Sequence, residues 1–151
     1  MAQRLVSGNP NRIVAIIDHA TAVTKGDMLK VTAVGDPEPI IRVTAATDND
    51  LFYAIADADH PAVVVDDGKV HSVLCIIPDP SCVWEYDVLA AEDLHQGMGL
   101  SIHDHHTLHR AATDHVALVV ACQHDSMTVR CVFLIPPVWG GASQNVSFSL
   151  I

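Results

Sequence analysis

The residues most able to do chemistry lie in one short run, His103-Asp104-His105-His106-Thr107-Leu108-His109, which holds four of the chain's ten histidines. A neutral imidazole nitrogen binds metal, and the ring exchanges a proton near neutral pH, so such a run can hold an ion or sense acidity. On a strand His103 and His105 share one face while His106 takes the other, and His-x-His spacing can bring two ligands to one metal. His103, His105 and His109 are therefore the candidate metal ligands. The surrounding residues are polar and turn-forming, however, and a turn of solvated histidines is the favoured reading, with no metal or cofactor expected.

Other chemistry has weaker anchors. Asp57, Asp59, Asp66 and Asp67 sit beside turns, where aspartate bonds to its own backbone rather than moving protons for a substrate. No Gly-x-Ser-x-Gly elbow occurs, and Ser72, Ser81 and Ser101 have no activating context. Gly97-Met98-Gly99 is too short to cradle a phosphate. The four cysteines, Cys75, Cys82, Cys122 and Cys131, form no Cys-x-x-Cys pair and read as buried, reduced thiols. No catalytic residue is expected, and the chain does not read as an enzyme. Trp84 and Trp139 follow proline-bearing breakers and are candidate interface anchors, whereas Phe133 reads as core.

The elements that must position these residues are strands. Short runs rich in Val, Ile and Thr alternate with turn signals such as Lys25-Gly26-Asp27, Gly35-Asp36-Pro37, Asp48-Asn49-Asp50 and Asp79-Pro80, a spacing that predicts an all-β sandwich or barrel. Asp67-Gly68, between Val63-Val64-Val65 and Val70-His71-Ser72-Val73, predicts a hairpin. Helix signals are confined to a possible turn at 57–61 and a short segment at 88–94. The order of landmarks then repeats. Lys25-Gly26-Asp27-Met28-Leu29, Ala45-Ala46-Thr47-Asp48, Ala54-Ile55-Ala56 and Leu74-Cys75-Ile76-Ile77-Pro78 return as Gln96-Gly97-Met98-Gly99-Leu100, Ala111-Ala112-Thr113-Asp114, Val119-Val120-Ala121 and Phe133-Leu134-Ile135-Pro136. Two copies are too few for a solenoid, so the expected fold is two tandem small β-barrel or sandwich modules, at 13–79 and 80–136. Residues 1–12 read as an extended N-terminal arm and 137–151 as a C-terminal tail ending in a strand. In the aligned copies the histidine run replaces the turn that contains Thr32 and Pro39.

Half of the 151 residues are apolar, enough for a real core. Eighteen acidic against eight basic residues give a formal charge of −10, which argues against a nucleic-acid surface. No run approaches the length of a membrane span or a signal peptide, and the chain reads as soluble and made in a cytoplasm.

Two resemblances follow. Gly97, then His103-Asp104-His105, resembles the opening of the cupin metal motif, which implies a metal-dependent β-barrel enzyme using His103, His105 and His109. A cupin continues with a glutamate where His109 and Arg110 stand here. The first module resembles the decoration, or cement, proteins of tailed-bacteriophage heads. It does so through Thr24-Lys25-Gly26-Asp27-Met28-Leu29-Lys30-Val31, Arg42-Val43-Thr44-Ala45-Ala46-Thr47-Asp48, Phe52-Tyr53-Ala54-Ile55-Ala56-Asp57 and Val63-Val64-Val65-Asp66-Asp67-Gly68-Lys69-Val70. This second resemblance, the preferred one, implies a homotrimer on the outer capsid surface of a virion, bound to the major capsid protein and stabilising the shell by clamping neighbouring capsomers. It implies neither nucleic acid nor membrane as partner. The expected contact residues are Arg4, Leu5, Val6, Arg12, Trp84 and Trp139, with Arg4 and Arg12 meeting acidic groups while Leu5 and Val6 fill a groove. A generic carbohydrate- or protein-binding β module is the third option.

Overall fold

The apolar runs between turn residues all become strands. In the computed structural model, which describes residues 3–34, 41–47, 53–78, 80–89, 94–111, 115–122, 127–134, 138–139 and 146–147, the elements are β1 (Arg4–Ser7), β2 (Asn11–Ile17), β3 (Met28–Val34), β4 (Ile41–Ala45), β5 (Ala54–Ala56), β6 (His71–Ile77), β7 (Val83–Val88), β8 (Gly99–Asp104), β9 (Thr107–Arg110), β10 (Ala117–Cys122), β11 (Thr128–Phe133), β12 (Val138–Trp139) and β13 (Val146–Ser147). No helix occurs among the described residues, and the fold is all-β. Instead of a helical turn, His60 makes a bridge to Val23. Val88 ends β7, and 90–93 lie outside the described residues.

Strands β2–β6 close a five-stranded barrel in the order β2-β4-β3-β5-β6. The second sheet runs β1-β7-β11-β10-β8-β9, and β7 also pairs with β9, which closes the same circuit a second time. Each pairing has its counterpart. β2 with β4 and β7 with β9 are parallel, and the other four pairs of each circuit are antiparallel. The detail repeats as well. Gly26 N–H donates to Ala56 O and Gly97 N–H to Val119 O, both at 2.8 Å, and both glycines hold positive φ, 98° and 88°. Bulges interrupt the pairings at Val31/Ala33 and at Ile102/Asp104.

The structural equivalence is not the one that the sequence suggests. Ala54–Ala56 matches 117–119, not 119–121, and Cys75 matches Cys131, not Phe133. A two-residue slip leaves every side chain of an alternating strand on its original face, so apolar identity alone does not detect it. Ala46 and Ala111 are equivalent through their bonds to Met28 O and Gly99 O, so the two Ala-Ala-Thr-Asp runs are offset by one residue. Residues 112–114 lie outside the described residues, as do the expected turns at 35–37 and 48–50.

The hairpin expected at Asp67-Gly68 is half formed. Gly68 does take φ of 72°, and its N–H reaches Asp66 Oδ1 at 2.8 Å, but Val63–Val65 is not a strand. Val63 instead exchanges backbone and ring bonds with His19, and Val64 and Val65 are 87 % and 78 % exposed. The N-terminal arm is also more built than expected. β1 pairs antiparallel with β7, Arg4 opposite Glu85 and Leu5 opposite Trp84, and Asn11 and Arg12 already belong to β2.

Two cores hold the molecule. Leu29, Val43, Tyr53, Ala54 and Cys75 fill the first barrel. Trp84, Tyr86, Leu100, Ile102, Leu108 and Phe133 fill the second, and Met28, Ile55 and Ile76 from the first barrel's outer face join them. Burying each of those three side chains contributes about 1.5–3 kcal/mol. Their sum rivals the ~5–15 kcal/mol stability of a whole domain, so this seam is a structural joint. Tyr86 Oη–H donates to Gly26 O at 2.6 Å and Met28 N–H to His105 O at 2.7 Å across it.

Candidate functional site

Where β1 and β7 meet the end of the first barrel, the chain leaves a cleft of about 420 Å³ lined by Arg4, Leu5, Arg12, Lys25, Asp57 and Trp84, with Gly26 and Ile76 beneath. Each wall has a local cause. β1 carries Arg4 and Leu5 because it extends the second sheet. β2 presents Arg12 beside Ile76 of β6, its register partner. The turn before β3, made by the positive φ of Gly26, supplies Lys25. A Cβ at Gly26 would lie 2.8 Å from that of Gln3, so only glycine lets β1 pass this close.

Arg4, Arg12 and Lys25 line the cleft with Asp57, and Glu85 stands beside it, in a chain of net charge −10. Arg12 Nε donates to Asp57 Oδ2 at 2.7 Å. Arg4 forks onto Glu85, with Nε and one terminal nitrogen at 3.2 and 3.3 Å, and Arg130 Nε stands 3.5 Å from the same carboxylate. Both arginines remain about half exposed, so these bonds orient the guanidinium groups without consuming them and each adds little stability. Trp84 is 3 % exposed, and its indole N–H has no hydrogen-bond partner among the described residues. The arrangement suits a ligand with acidic and apolar groups side by side.

Of the residues expected to make contacts, Arg4, Leu5, Arg12 and Trp84 thus converge on one cleft, although 80 positions separate the first from the last. Val6 does not line it, because it is the bulged residue of β1 between the pairs made by Leu5 and Ser7. Trp139 lies away from it in sequence, in β12, which pairs with β13. Arg4 and Arg12 already have acidic partners within their own chain, which the sequence reading did not anticipate.

The histidine run forms the β8–β9 hairpin, with His105 and His106 at its turn. His103 and His109 approach edge to face, ring centroids 5.8 Å apart. His105 turns to the other barrel and places Nδ1 3.1 Å from Asp27 Oδ1, while its ring packs on His106 at 4.5 Å. The three candidate ligands therefore do not converge, and no group of three or more His, Cys, Asp or Glu is arranged to hold a metal among the described residues. The hairpin tip is a joint between barrels. Burial alone would raise the Asp104 pKa, but the His106 amide and the neighbouring imidazoles outweigh it and the net direction is down.

A second histidine group escaped sequence reasoning because its members, His19, His60 and His71, are far apart in the chain. His60 Nδ1 lies 2.7 Å from Thr21 O, His60 Nε2 2.9 Å from His71 Nδ1, and His71 Nε2 3.0 Å from Asp67 Oδ1. A carbonyl and a carboxylate only accept, so the outer nitrogens carry protons, and one further proton closes the link between the rings.

No family model and no curated protein matches the chain. Among solved structures it is similar to the crystal structure of the head fiber gp8.5 N base in bacteriophage phi29. The TM-score is 0.52 at 19 % identity, over 87 % of this chain and 99 % of that one. At that identity the likeness is one of fold, and its extent exceeds either barrel alone.

Proposed function

We propose that the protein is a structural component of a tailed-bacteriophage virion, seated on the outer surface of the head. The observation that supports this most is the fold likeness to a phage head-fiber base over nearly the whole of that chain. The physical demands agree with it: a stable double β core and a cleft that gathers apolar and cationic groups. In the finer reading the protein self-associates as a homotrimer, binds the major capsid protein and clamps neighbouring capsomers against internal pressure.

Co-sedimentation of purified protein with emptied phage heads, with its mass measured in solution, tests the proposal. Saturable binding by an oligomer supports it, and failure to bind heads at any concentration overturns it. Deleting residues 1–12 would be a poor test, since it removes β1 from β7 and the start of β2. Arg4→Ala and Arg12→Ala probe the same surface with the sheet intact.

A further inference from the structure

Two surfaces at opposite ends of the first barrel complement one another. The segment 63–70 exposes Val64, Val65 and Val70 at 87 %, 78 % and 79 %, and among them the Asp66 side chain is 70 % exposed. Apolar side chains gathered in that way mark a surface that becomes covered. The segment is also anchored. Val63 N–H donates to His19 O at 2.6 Å, the His19 ring nitrogen Nδ1 lies 2.6 Å from Val63 O, and the carboxylates of Asp66 and Asp67 accept from Gly68 and Lys69 N–H. A loop already fixed in shape loses little entropy on docking.

At the other end lies the cleft, with Arg4, Arg12 and Lys25 around Leu5, Ile76 and Trp84. β2 and β6 run antiparallel from Asn11 opposite Ile77, by the cleft, to Ile17 opposite His71, by the loop. At about 3.3 Å per residue these ends are about 20 Å apart, so the loop cannot enter its own cleft. We propose that segment 63–70 of one copy seats in the cleft of a second copy. Asp66 meets the guanidinium groups of Arg12 and Arg4, and Val64 and Val65 pack on the half-buried Leu5. Because the two surfaces differ, the contact is head to tail, which gives a ring where its rotation closes and a filament where it does not. The inference rests on the proposed function only for self-association and needs nothing from the capsid.

Light scattering across a concentration series of the full chain, with circular dichroism as the folding control, tests this contact. Wild type should exceed the 16.2 kDa of one chain. The exposed-loop double variant Val64→Asp with Val65→Asp, and the single variants Asp66→Arg and Arg12→Asp, should each raise the concentration for half-assembly by about tenfold or more. One chain carrying both Asp66→Arg and Arg12→Asp should recover assembly in part, since the Asp66–Arg12 pair is then reversed while Arg4 is unchanged. A wild-type monomer, or an oligomer that the loop variants leave intact, overturns the proposal. So does a double swap that fails to recover although folded, which would give the loop a different partner, such as a coat-protein segment. Head binding by a monomer would sink this contact and spare the virion reading. Assembly without head binding would do the reverse.

Discussion

Replacing Tyr86 with phenylalanine should weaken the joint between barrels by a predictable amount. Tyr86 is fully buried and its hydroxyl donates to Gly26 O at 2.6 Å, while its ring packs edge to face on Phe133 at 5.5 Å. Phenylalanine keeps the ring and removes only the hydroxyl. What is lost is one buried hydrogen bond, with the Gly26 carbonyl deprived of that donor, a change that costs about 1–2 kcal/mol. For a chain of this length each kcal/mol lowers Tm by about 2–4 °C, so the midpoint should fall by about 2–8 °C. Denaturant titration should show a lower midpoint with an unchanged slope, since the surface exposed on unfolding is the same. The loss should also be smaller than that of Ile55→Ala, which opens the apolar seam and costs about 2–5 kcal/mol. A Tm equal to that of wild type, or an Ile55→Ala protein more stable than Tyr86→Phe, would refute the assignment of the joint to these groups.

Other outcomes follow from single features. Gly8 has φ of 110°, and a Cβ there would lie 2.8 Å from Cys82 Cα, so Gly8→Ala should cost about 1–3 kcal/mol and speed amide exchange in β1 before that in β2. Burial pushes the Cys75 thiol up to about 12 and raises Cys131 further, so in a thiol-reagent assay near pH 8 the half-buried Cys122 should react first. Cys75, Cys82 and Cys131 should follow only as the protein unfolds. The bond to Val63 O raises the pKa of His19, so that contact stabilises the fold fully below the unfolded-state pKa and is lost as pH rises through the folded one. The Lys69 amide, then His71, lowers the pKa of Asp67, whose contribution is present above its unfolded-state pKa and is lost as pH falls through the folded value. NMR titration should place the His19 midpoint above that of a model imidazole, and proteolysis of segment 63–70 should be slowest between the two limits.

The all-β class and the duplicated order of strands were legible because turn residues and alternating apolar runs act locally. Register was not, since a slip of two residues changes no local preference, and Cys75 had to be matched to Cys131 by hydrogen bonding. Arg4, Leu5, Arg12 and Trp84 could be singled out as scarce charges and large rings, but their convergence depends on β1 crossing to a strand 80 residues away. Nothing in the sequence pairs Glu85 with Arg4, or Asp57, which reads as a turn aspartate, with Arg12. Val63–Val65 has strand composition and no strand beside it, and His60 and His71 look like isolated polar residues until the chain closes.

The placement of β1 also orders events in time. Arg4 emerges from the ribosome 81 residues before Glu85, its partner, so at about 5–20 residues per second the first strand waits roughly 4–16 s for its place. In that interval β2–β6 can close, because all the strands of their circuit have been made. β1 is therefore secured only after the strands of the first barrel exist, and by taking its place on β7 it holds the growing second barrel to the first like a clasp.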